Sequence, residues 1–461
     1  MRQNCYGGTL TVLDERGRGV AGNVLQVGVP RLGWFADGDP NTPLTAAMLV
    51  DDGTHIHLTI PWSESESPYE RWFFGRGVNW ADDPDKTKHR YSVPDLLWFW
   101  DVRGQVTLVG CRGVEATGPV PGEGRAHVGF AVMGGDGEPD YRKVNGLRSE
   151  MPGLSEWMSL RSLTHQVTND AQGRLKALDL RLESPEPVLF SRAMNLRIRP
   201  NFSFNLPATP DTSTIRESLQ IETMVKRPRD WFDHLSAHNT VRELVNVAAW
   251  LPFGYSAQWA SRTDDPERVL DGSVVGVRWS EVRSYLSRRD EPRSSRPRFL
   301  YVFDDIGTAG FGRWTRLRSH FARGVNPILS TVEQTRTSIE ATLAQSGIGL
   351  DAIGYQLALD GRVSKGKAKD ETHRDRLCRI AAELTVPPPF DESEWATRSS
   401  DAYNGVKHAD RDLPDVLTAA NTLRENQLIF RLWVAGRIGV PVATLKRNVE
   451  RDPMTRPYVY E

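Results

Sequence analysis

Residues 412–438 read DLPDVLTAANTLRENQLIFRLWVAGRI and decide the fold class of the C-terminal part of the chain. Large apolar side chains recur every three or four positions, from Leu417 through Leu428 to Trp433, which is the spacing of one buried helical face. Asp412 and Pro414 come just before them and are residue types that commonly begin a helix. The stretch therefore predicts a long helix that ends near Ile438.

The same periodicity precedes this helix along the chain. Asn326 and Pro327 predict an N-cap and a first-turn proline, and Asp391 with Glu394 predicts an acidic N-cap and its N3 partner. Helices are expected at residues 326–343, 377–384 and 391–408, with a polar, lysine-rich loop at residues 364–370. Four to five helices in such a span are typical of a bundle. Residues 310–461 are therefore predicted to be all-α.

The N-terminal half has a different pattern, with short alternating segments punctuated by turn residues. Strands are predicted at residues 8–13, 23–29, 54–60, 106–110, 127–133 and 175–182, two more within 201–226, and one at 274–282. A helix is expected at residues 228–250, a short helical insertion at 151–160, a glycine-rich connector at 307–312 and a linker at 287–297. The expected layout is α+β, with a β-sandwich-like region at residues 1–200, a mixed continuation at 201–290 and a helical bundle at 310–461.

Charge and cysteine content narrow the functional classes. The 461-residue chain has 58 basic and 59 acidic residues and a formal net charge of −1, so it lacks the basic footprint of a general nucleic-acid binder. Any nucleic-acid site must be local. Three distant cysteines, no signal peptide and no apolar run of transmembrane length predict a cytoplasmic protein without disulfides or a membrane partner.

The segment Tyr403-Asn404-Gly405-Val406-Lys407-His408 combines polar groups near the end of a predicted helix. Asn404 and His408 are four residues apart and share a helical face. Lys407 and the nearby Arg398 and Arg411 add positive charge. Such a histidine can remove the 2′-hydroxyl proton of RNA while a cation stabilises the phosphoryl oxygens, which requires no metal. The alternative is a histidine that only caps the helix C-terminus.

Other histidines have weaker patterns. His55 and His57 point to one face of a strand, as a pair of metal ligands would, but no third ligand is nearby in the sequence. His234 and His238 have helical spacing but lack the glutamate of a zincin motif, which favours packing. We therefore expect no metal site and no cofactor.

Several stretches resemble the ApeA family of bacterial anti-phage proteins, which have a β-rich N-terminal domain and a C-terminal HEPN nuclease domain. The resemblance lies in YGGTL at residues 6–10, VNGLRSEMPGLSEWMS at 144–159, WFDHLSAHNTVRELVNVAAW at 231–250 and DAYNGVKHAD at 401–410. It implies a HEPN-type bundle that dimerises around its active site. It also implies an RNA substrate, for which tRNA is one candidate, and a phage-derived trigger.

The resemblance assigns catalysis to Asn404 and His408. Tyr403 and Arg398 are further catalytic candidates, and Lys407 and Arg411 are candidates for substrate binding. The usual HEPN motif is Arg-Asn-x-x-x-His, and here Tyr403 stands where that arginine is expected. Three hypotheses follow: an abortive-infection ribonuclease, a catalytically degenerate HEPN module for dimerisation or RNA binding, and a ligand-binding β-sandwich on a helical scaffold.

Overall fold

The computed structural model describes residues 22–459 apart from 64–66, 76, 79, 81, 84, 86, 88–90, 119–120, 136, 206–213, 270, 286–296 and 335–336. The chain divides into two compact units, and each unit is built from several stretches. Unit 1 comprises Met1–Met151, Met194–His238 and Tyr255–Arg289, and unit 2 comprises Pro152–Ala193, Asn239–Gly254 and Asp290–Glu461. The three-part division made from the sequence stays a prediction.

Unit 1 is dominated by β-strands. Its strands are β1 (Arg31–Ala36), β2 (Thr45–Asp51), β3 (Ile56–Trp62), β4 (Leu96–Asp101), β5 (Gly104–Val109), β6 (Arg112–Thr117), β7 (Gly122–Val128), β8 (Phe130–Met133), β9 (Lys143–Glu150), β13 (Leu196–Asn205), β14 (Thr214–Asp230), β15 (Ala257–Ser261), β16 (Glu267–Arg268), β17 (Val274–Gly276) and β18 (Ser280–Arg283). A short helix, α1 (Pro68–Phe74), follows β3.

The strands of unit 1, apart from the small β16–β17 pair, belong to one sheet in the order β13-β14-β9-β15-β18-β8-β5-β4-β1-β2-β3-β7-β6. Every pairing in this part of the sheet is antiparallel. Strands β7 and β8 are six positions apart in this order, yet only Gly129 separates them along the chain. The sheet between them must therefore curl back on itself, and it encloses a core that includes Leu58, Phe99 and Leu108.

Unit 2 is mainly helical. Its elements are α2 (Leu154–Met158), β10 (Leu163–Asn169), β11 (Leu175–Leu182), β12 (Val188–Ser191), α4 (Phe303–His320), α5 (Ala322–Glu333), α6 (Ile339–Asp360), α7 (Lys365–Asp370), α8 (His373–Ala381), α9 (Glu392–Lys407), α10 (Val416–Ile438), α11 (Val442–Val449) and a 3-10 turn at Pro453–Thr455. Helix α3 (Trp231–Ala249) begins within unit 1 and ends within unit 2.

The α+β class predicted from the sequence is confirmed, because a large antiparallel sheet precedes the C-terminal helices. The predicted strand at residues 175–182 coincides with β11, and the predicted helix at 228–250 matches α3 within three residues. The structure differs from the predicted sandwich in one respect: the strands of unit 1, apart from β16 and β17, form one continuous sheet instead of two facing sheets. The strand predicted at residues 8–13 and residues 287–296 of the predicted linker lie outside the described residues.

The helix predicted at residues 326–343 is two helices in the structure. Helix α5 already begins at Ala322, so Pro327 lies inside it instead of in its first turn. Proline keeps a helical φ angle and removes only one donor, so packing can carry a helix past it. Helix α6 then starts anew behind Ser338, whose hydroxyl accepts a hydrogen bond from the backbone N–H of Ala341 at 3.2 Å.

Two segments predicted as irregular are helical. The lysine-rich stretch at 364–370 contains α7, capped by Ser364. The glycine-rich stretch at 307–312 lies within α4, where Gly307 has a φ of 56° and breaks the helical geometry. Glycine tolerates that conformation without a steric penalty, so the glycines permit a kink within a helix, where a connector was predicted. Across the described residues, no helix combines the length and apolar character needed to cross a membrane.

Candidate active site

Helix α9 carries the segment that the sequence singled out. Its N-terminus forms as predicted, because the carboxylate of Asp391 accepts a hydrogen bond from the backbone N–H of Glu394 at 2.8 Å. The buried Trp395 anchors the helix to α10 by donating its indole N–H to Asn426 at 2.9 Å. The helix is therefore fixed at its start, and its C-terminal end presents the candidate residues.

His408 terminates α9. Its backbone N–H donates to the carbonyl of Asn404 at 2.9 Å, while its own φ and ψ of −117° and 117° are extended. The imidazole is exposed, and within the part of the chain described it has no polar side-chain partner. His408 therefore ends the helix and also has an accessible ring, so the two roles predicted for it, capping and catalysis, are compatible.

Asn404 lies one helical turn before His408. Its side chain is partly buried, and its amide nitrogen is 3.5 Å from the hydroxyl of Ser400. That distance is at the outer limit of a hydrogen bond, so the amide is only weakly restrained. Asn404 and His408 lie on consecutive turns, as their spacing predicts.

Tyr403 faces the interior of unit 2. Its ring lies against the ring of His373 with a centroid distance of 4.6 Å, and it packs on Gly347 of α6. A methyl group on Gly347 would come 2.3 Å from a ring carbon of Tyr403, so only glycine leaves room for the ring. Burial, and then the Asp351 carboxylate, raises the pKa of the phenol. Tyr403 is therefore a neutral packing residue.

Lys407 brings a positive charge to the same place. Its exposed ammonium lies 5.4 Å from the centre of the Tyr403 ring, within the range of a cation–π interaction. Arg411 follows in the next turn, where its backbone N–H donates to the carbonyl of His408 at 3.1 Å. Its side chain is exposed. Lys407 and Arg411 are therefore the cations closest to His408 along the chain.

Arg398 is placed differently. Its guanidinium donates to the buried carboxylate of Glu425 on α10 at 3.1 Å and pairs with Glu394 at 3.4 Å. It precedes His408 by ten residues, which is about 15 Å along a helix axis. The structure therefore does not bring Arg398 next to His408 within one chain, and its charge is already neutralised.

The sequence did not reveal a charged cluster next to Tyr403. Asp351 on α6 accepts hydrogen bonds from His373 at 3.1 Å and from Arg376 at 2.6 Å. Burial opposes ionisation of Asp351, but these two hydrogen bonds outweigh it and lower the pKa of the carboxyl. The other ring nitrogen of His373, Nε2, is buried without a hydrogen-bond partner. Such a cluster leaves no local sequence signal, because Asp351 precedes His373 by 22 residues and lies on another helix.

Comparison with protein families identifies the larger part of the chain. The family model described as ApeA N-terminal domain 1 matches residues 31–314, more than half of the chain. The chain belongs to the ApeA family. No curated protein and no solved structure shows significant similarity to it. The family match ends before α5, so the segment around His408 lies outside it.

The other histidines singled out in this ApeA-family chain have partners in unit 1. His57 lies 3.8 Å from the carboxylate of Asp52, and the ring of His55 stacks on that of His127 at 4.4 Å. Within the described residues, no three His, Cys, Asp or Glu side chains are grouped as ligands for a metal ion. His55 and His57 therefore contact ordinary neighbours on the sheet.

His234 and His238 belong to a buried hydrogen-bond chain in unit 1. The Nε2 atom of His234 lies 3.1 Å from the carbonyl of Val144, which can only accept, so Nε2 carries the proton. Its Nδ1 must then accept from Thr223 at 2.8 Å, and Thr223 in turn accepts from Nε2 of His238 at 3.0 Å. Ser149 donates to Nδ1 of His238 at 2.9 Å. Every member of this chain is satisfied, which agrees with the packing role predicted for the two histidines.

Proposed function

We propose that this chain is an anti-phage ribonuclease of the HEPN type, with His408 as its general base. Membership of the ApeA family indicates a role in anti-phage defence. The observation that carries the ribonuclease proposal is the exposed imidazole of His408 at the end of α9, flanked by Lys407 and Arg411 and preceded by Asn404. A base, a hydrogen-bonding amide and two cations are the groups that RNA cleavage by its own 2′-hydroxyl requires.

In the proposed reaction, the neutral imidazole of His408 removes the proton of a ribose 2′-hydroxyl. The 2′-oxygen then forms a bond to the adjacent phosphorus, and the bond to the 5′-oxygen of the next nucleotide breaks. That 5′-oxygen takes up a proton from solvent. The products are a 2′,3′-cyclic phosphate and a free 5′-hydroxyl, and the reaction needs no metal because RNA supplies the nucleophile.

Lys407 supplies the charge that the motif normally obtains from arginine. The Tyr403 ring, held between Gly347 and His373, positions the ammonium of Lys407. A cation over an aromatic face is stabilised by about 0.5–1 kcal/mol at an exposed site. Tyr403 is thus a positioning residue. Arg398 would have to leave Glu425 before it could act in catalysis.

The partners of the proposed enzyme follow from the same site. The substrate class is RNA, with tRNA as the first candidate, and the resemblance further suggests a homodimer through the helices of residues 310–461 and a phage-derived trigger. The rival function is a HEPN module that binds RNA or dimerises without cutting. Tyr403 in place of arginine is the observation that favours this rival.

Cleavage by purified full-length protein tests the proposal. Wild type, His408→Ala and the control His165→Ala would be incubated with total tRNA in EDTA, and the products analysed for 2′,3′-cyclic phosphate ends. His165 suits the control because it is an exposed histidine on β10. We expect cleavage by wild type and the control, and a loss of about 100-fold or more for His408→Ala. Equal cleavage by all three proteins would remove His408 from the mechanism.

A further inference from the structure

A concentrated basic surface lies in unit 2, which also contains the candidate site. We name it the basic strip and define it by the exposed side chains of Arg362, Lys365, Lys367, Lys369 and Arg374. The chain as a whole has a net charge of −1, so this clustering is local. A ribonuclease with a neutral surface elsewhere needs such a place to hold a phosphate backbone.

The charges of the strip are largely unneutralised. Within the described residues, Lys365, Lys367 and Lys369 make no ion pair. Arg374 donates only to the hydroxyls of Thr397 at 3.0 Å and Ser393 at 3.2 Å. Two acidic residues interrupt the stretch, Asp370 and Glu371, and the second pairs with Arg379 of α8. The strip therefore keeps an excess of positive charge at the surface.

Helix α7 is held rigidly under the lysines. Ser364 caps the helix, and Ala368 is fully buried, so the lysine side chains around it project outward. The guanidinium of Arg376 donates to the carbonyls of Ala368 at 3.0 Å and Lys369 at 3.2 Å. The lysines thus stand on a fixed base, which lowers the entropic cost of binding a ligand there.

The same arginine connects the strip to the candidate site. Arg376 also donates to Asp351, which accepts from His373, and the ring of His373 lies against Tyr403. The ammonium of Lys407 lies 5.4 Å from the centre of the same Tyr403 ring. A continuous set of contacts therefore fixes α7 to the end of α9 that carries His408.

We propose that the basic strip is the surface along which the backbone of an RNA strand lies as it enters the site at His408. This inference rests on the proposed function, because it assigns the substrate of that site a binding surface. Ammonium and guanidinium groups bind phosphates and release counterions from the nucleic acid. A membrane fits less well, because interfacial binding needs apolar anchors and no large hydrophobic side chain of residues 362–374 is exposed.

RNA binding by the full-length chain carrying His408→Ala tests the strip without cleavage. The probe is a fluorescent oligouridine, which stays unpaired, and its dissociation constant would be measured by anisotropy over a series of salt concentrations. The strip variant adds Lys365→Gln, Lys367→Gln and Lys369→Gln. The control adds Arg323→Gln, Lys446→Gln and Arg447→Gln, which remove the same charge from exposed residues of α5 and α11. Circular dichroism and thermal unfolding would verify that both variants fold.

We expect the strip variant to bind the oligouridine roughly tenfold more weakly or worse at moderate salt. The slope of log K against log salt concentration should become shallower by about 2, because each of three lost phosphate contacts contributes about 0.7. The control should bind like the starting protein. An equal loss in both variants would mean a diffuse charge effect and overturn the proposal, as would the absence of any RNA binding by the starting protein. If the strip variant binds RNA more weakly but protein with His408 intact cuts no RNA, the ribonuclease proposal fails and the strip is still an RNA-binding surface. If protein with His408 cuts RNA and the strip variant binds RNA normally, only the proposal of the strip as an RNA-binding surface is contradicted.

Discussion

The ammonium of Lys407 lies 5.4 Å from the centre of the Tyr403 ring. Tyr403 occupies the position of the arginine in the motif that residues 403–408 resemble, and the ring itself brings no charge. The neighbouring lysine places a positive charge over that ring. In the proposed ribonuclease, the aromatic ring and the lysine together would offer what one arginine does, provided that the ring stays in place.

Substitution of Tyr403 tests this relationship. Tyr403→Phe keeps the ring, so we expect it to retain kcat/KM for RNA cleavage. Tyr403→Leu removes the cation–π interaction, and a loss of about 0.5–1 kcal/mol corresponds to a two- to fivefold decrease in kcat/KM. Lys407→Met should abolish the difference between the two variants. Equal activity of the Phe and Leu variants would contradict the positioning role.

Gly347 supports the same ring from α6. In Gly347→Ala the new methyl group would meet a Tyr403 ring carbon at 2.3 Å, so the ring or the helix must shift. Overpacking of this kind costs about 1–3 kcal/mol of unfolding free energy, which urea titration would measure. Gly366→Ala is the matched control, because nothing lies within 4 Å of its added methyl group. That variant should gain up to about 1 kcal/mol, since alanine favours a helix over glycine. Similar effects from both alanines would contradict the tight contact at Gly347.

Sequence periodicity predicted where α9 and α10 lie, because apolar spacing is a local property. The predicted start of α10 at Asp412 and Pro414 is wrong, since Asp415 caps the helix. The extension of α9 to residue 407 follows from Asp391, Glu394 and the apolar positions after them. Periodicity could not show that Tyr403 faces inward, since that depends on the space above Gly347 on another helix. For the same reason the spacing of Arg398 gave no hint of its partner Glu425, which lies 27 residues away.

Local composition gave a wrong secondary structure where tertiary contacts stabilise a helix. The residues around Lys365 have the composition of a loop, yet Ala368 is buried and Arg376 binds the end of the segment, so a short helix forms. In unit 1, the alternation at residues 54–60 predicted a strand that the structure contains as β3. It could not predict that the sheet curls back through Gly129, because sheet order is set by pairings between distant residues.

The hydrogen-bond chain through Thr223 makes a second stability prediction. Thr223→Val keeps the side-chain shape but removes the hydroxyl that joins Nδ1 of His234 to Nε2 of His238. Two buried ring nitrogens then lose their partner, which costs about 1–3 kcal/mol for each unsatisfied group. Urea unfolding of full-length protein followed by far-UV circular dichroism would measure the loss. A variant as stable as wild type would show that the chain contributes nothing to unit 1.

The two histidines of this hydrogen-bond chain also make the stability of unit 1 depend on pH. Burial, and then the neighbouring His234, lowers the pKa of His238 from 6.5 to about 3. Between these two values the unfolded chain binds a proton on His238 and the folded chain does not, so unfolding takes up a proton and acid favours it. The contribution is fully present above the unfolded pKa of about 6.5, decreases as the pH falls, and reaches a loss on the order of 4 kcal/mol near pH 3.

Urea titrations between neutral pH and pH 4 would measure this dependence, with His238→Gln as the comparison because it removes the titrating group. The wild-type free energy of unfolding should fall more steeply with acid than that of the variant. Both proteins contain the same remaining carboxylates and histidines, so the difference between their slopes reports on His238 together with its coupling to His234. Parallel pH profiles would mean that His238 titrates alike in the folded and unfolded chains, contrary to its burial between Ser149 and Thr223.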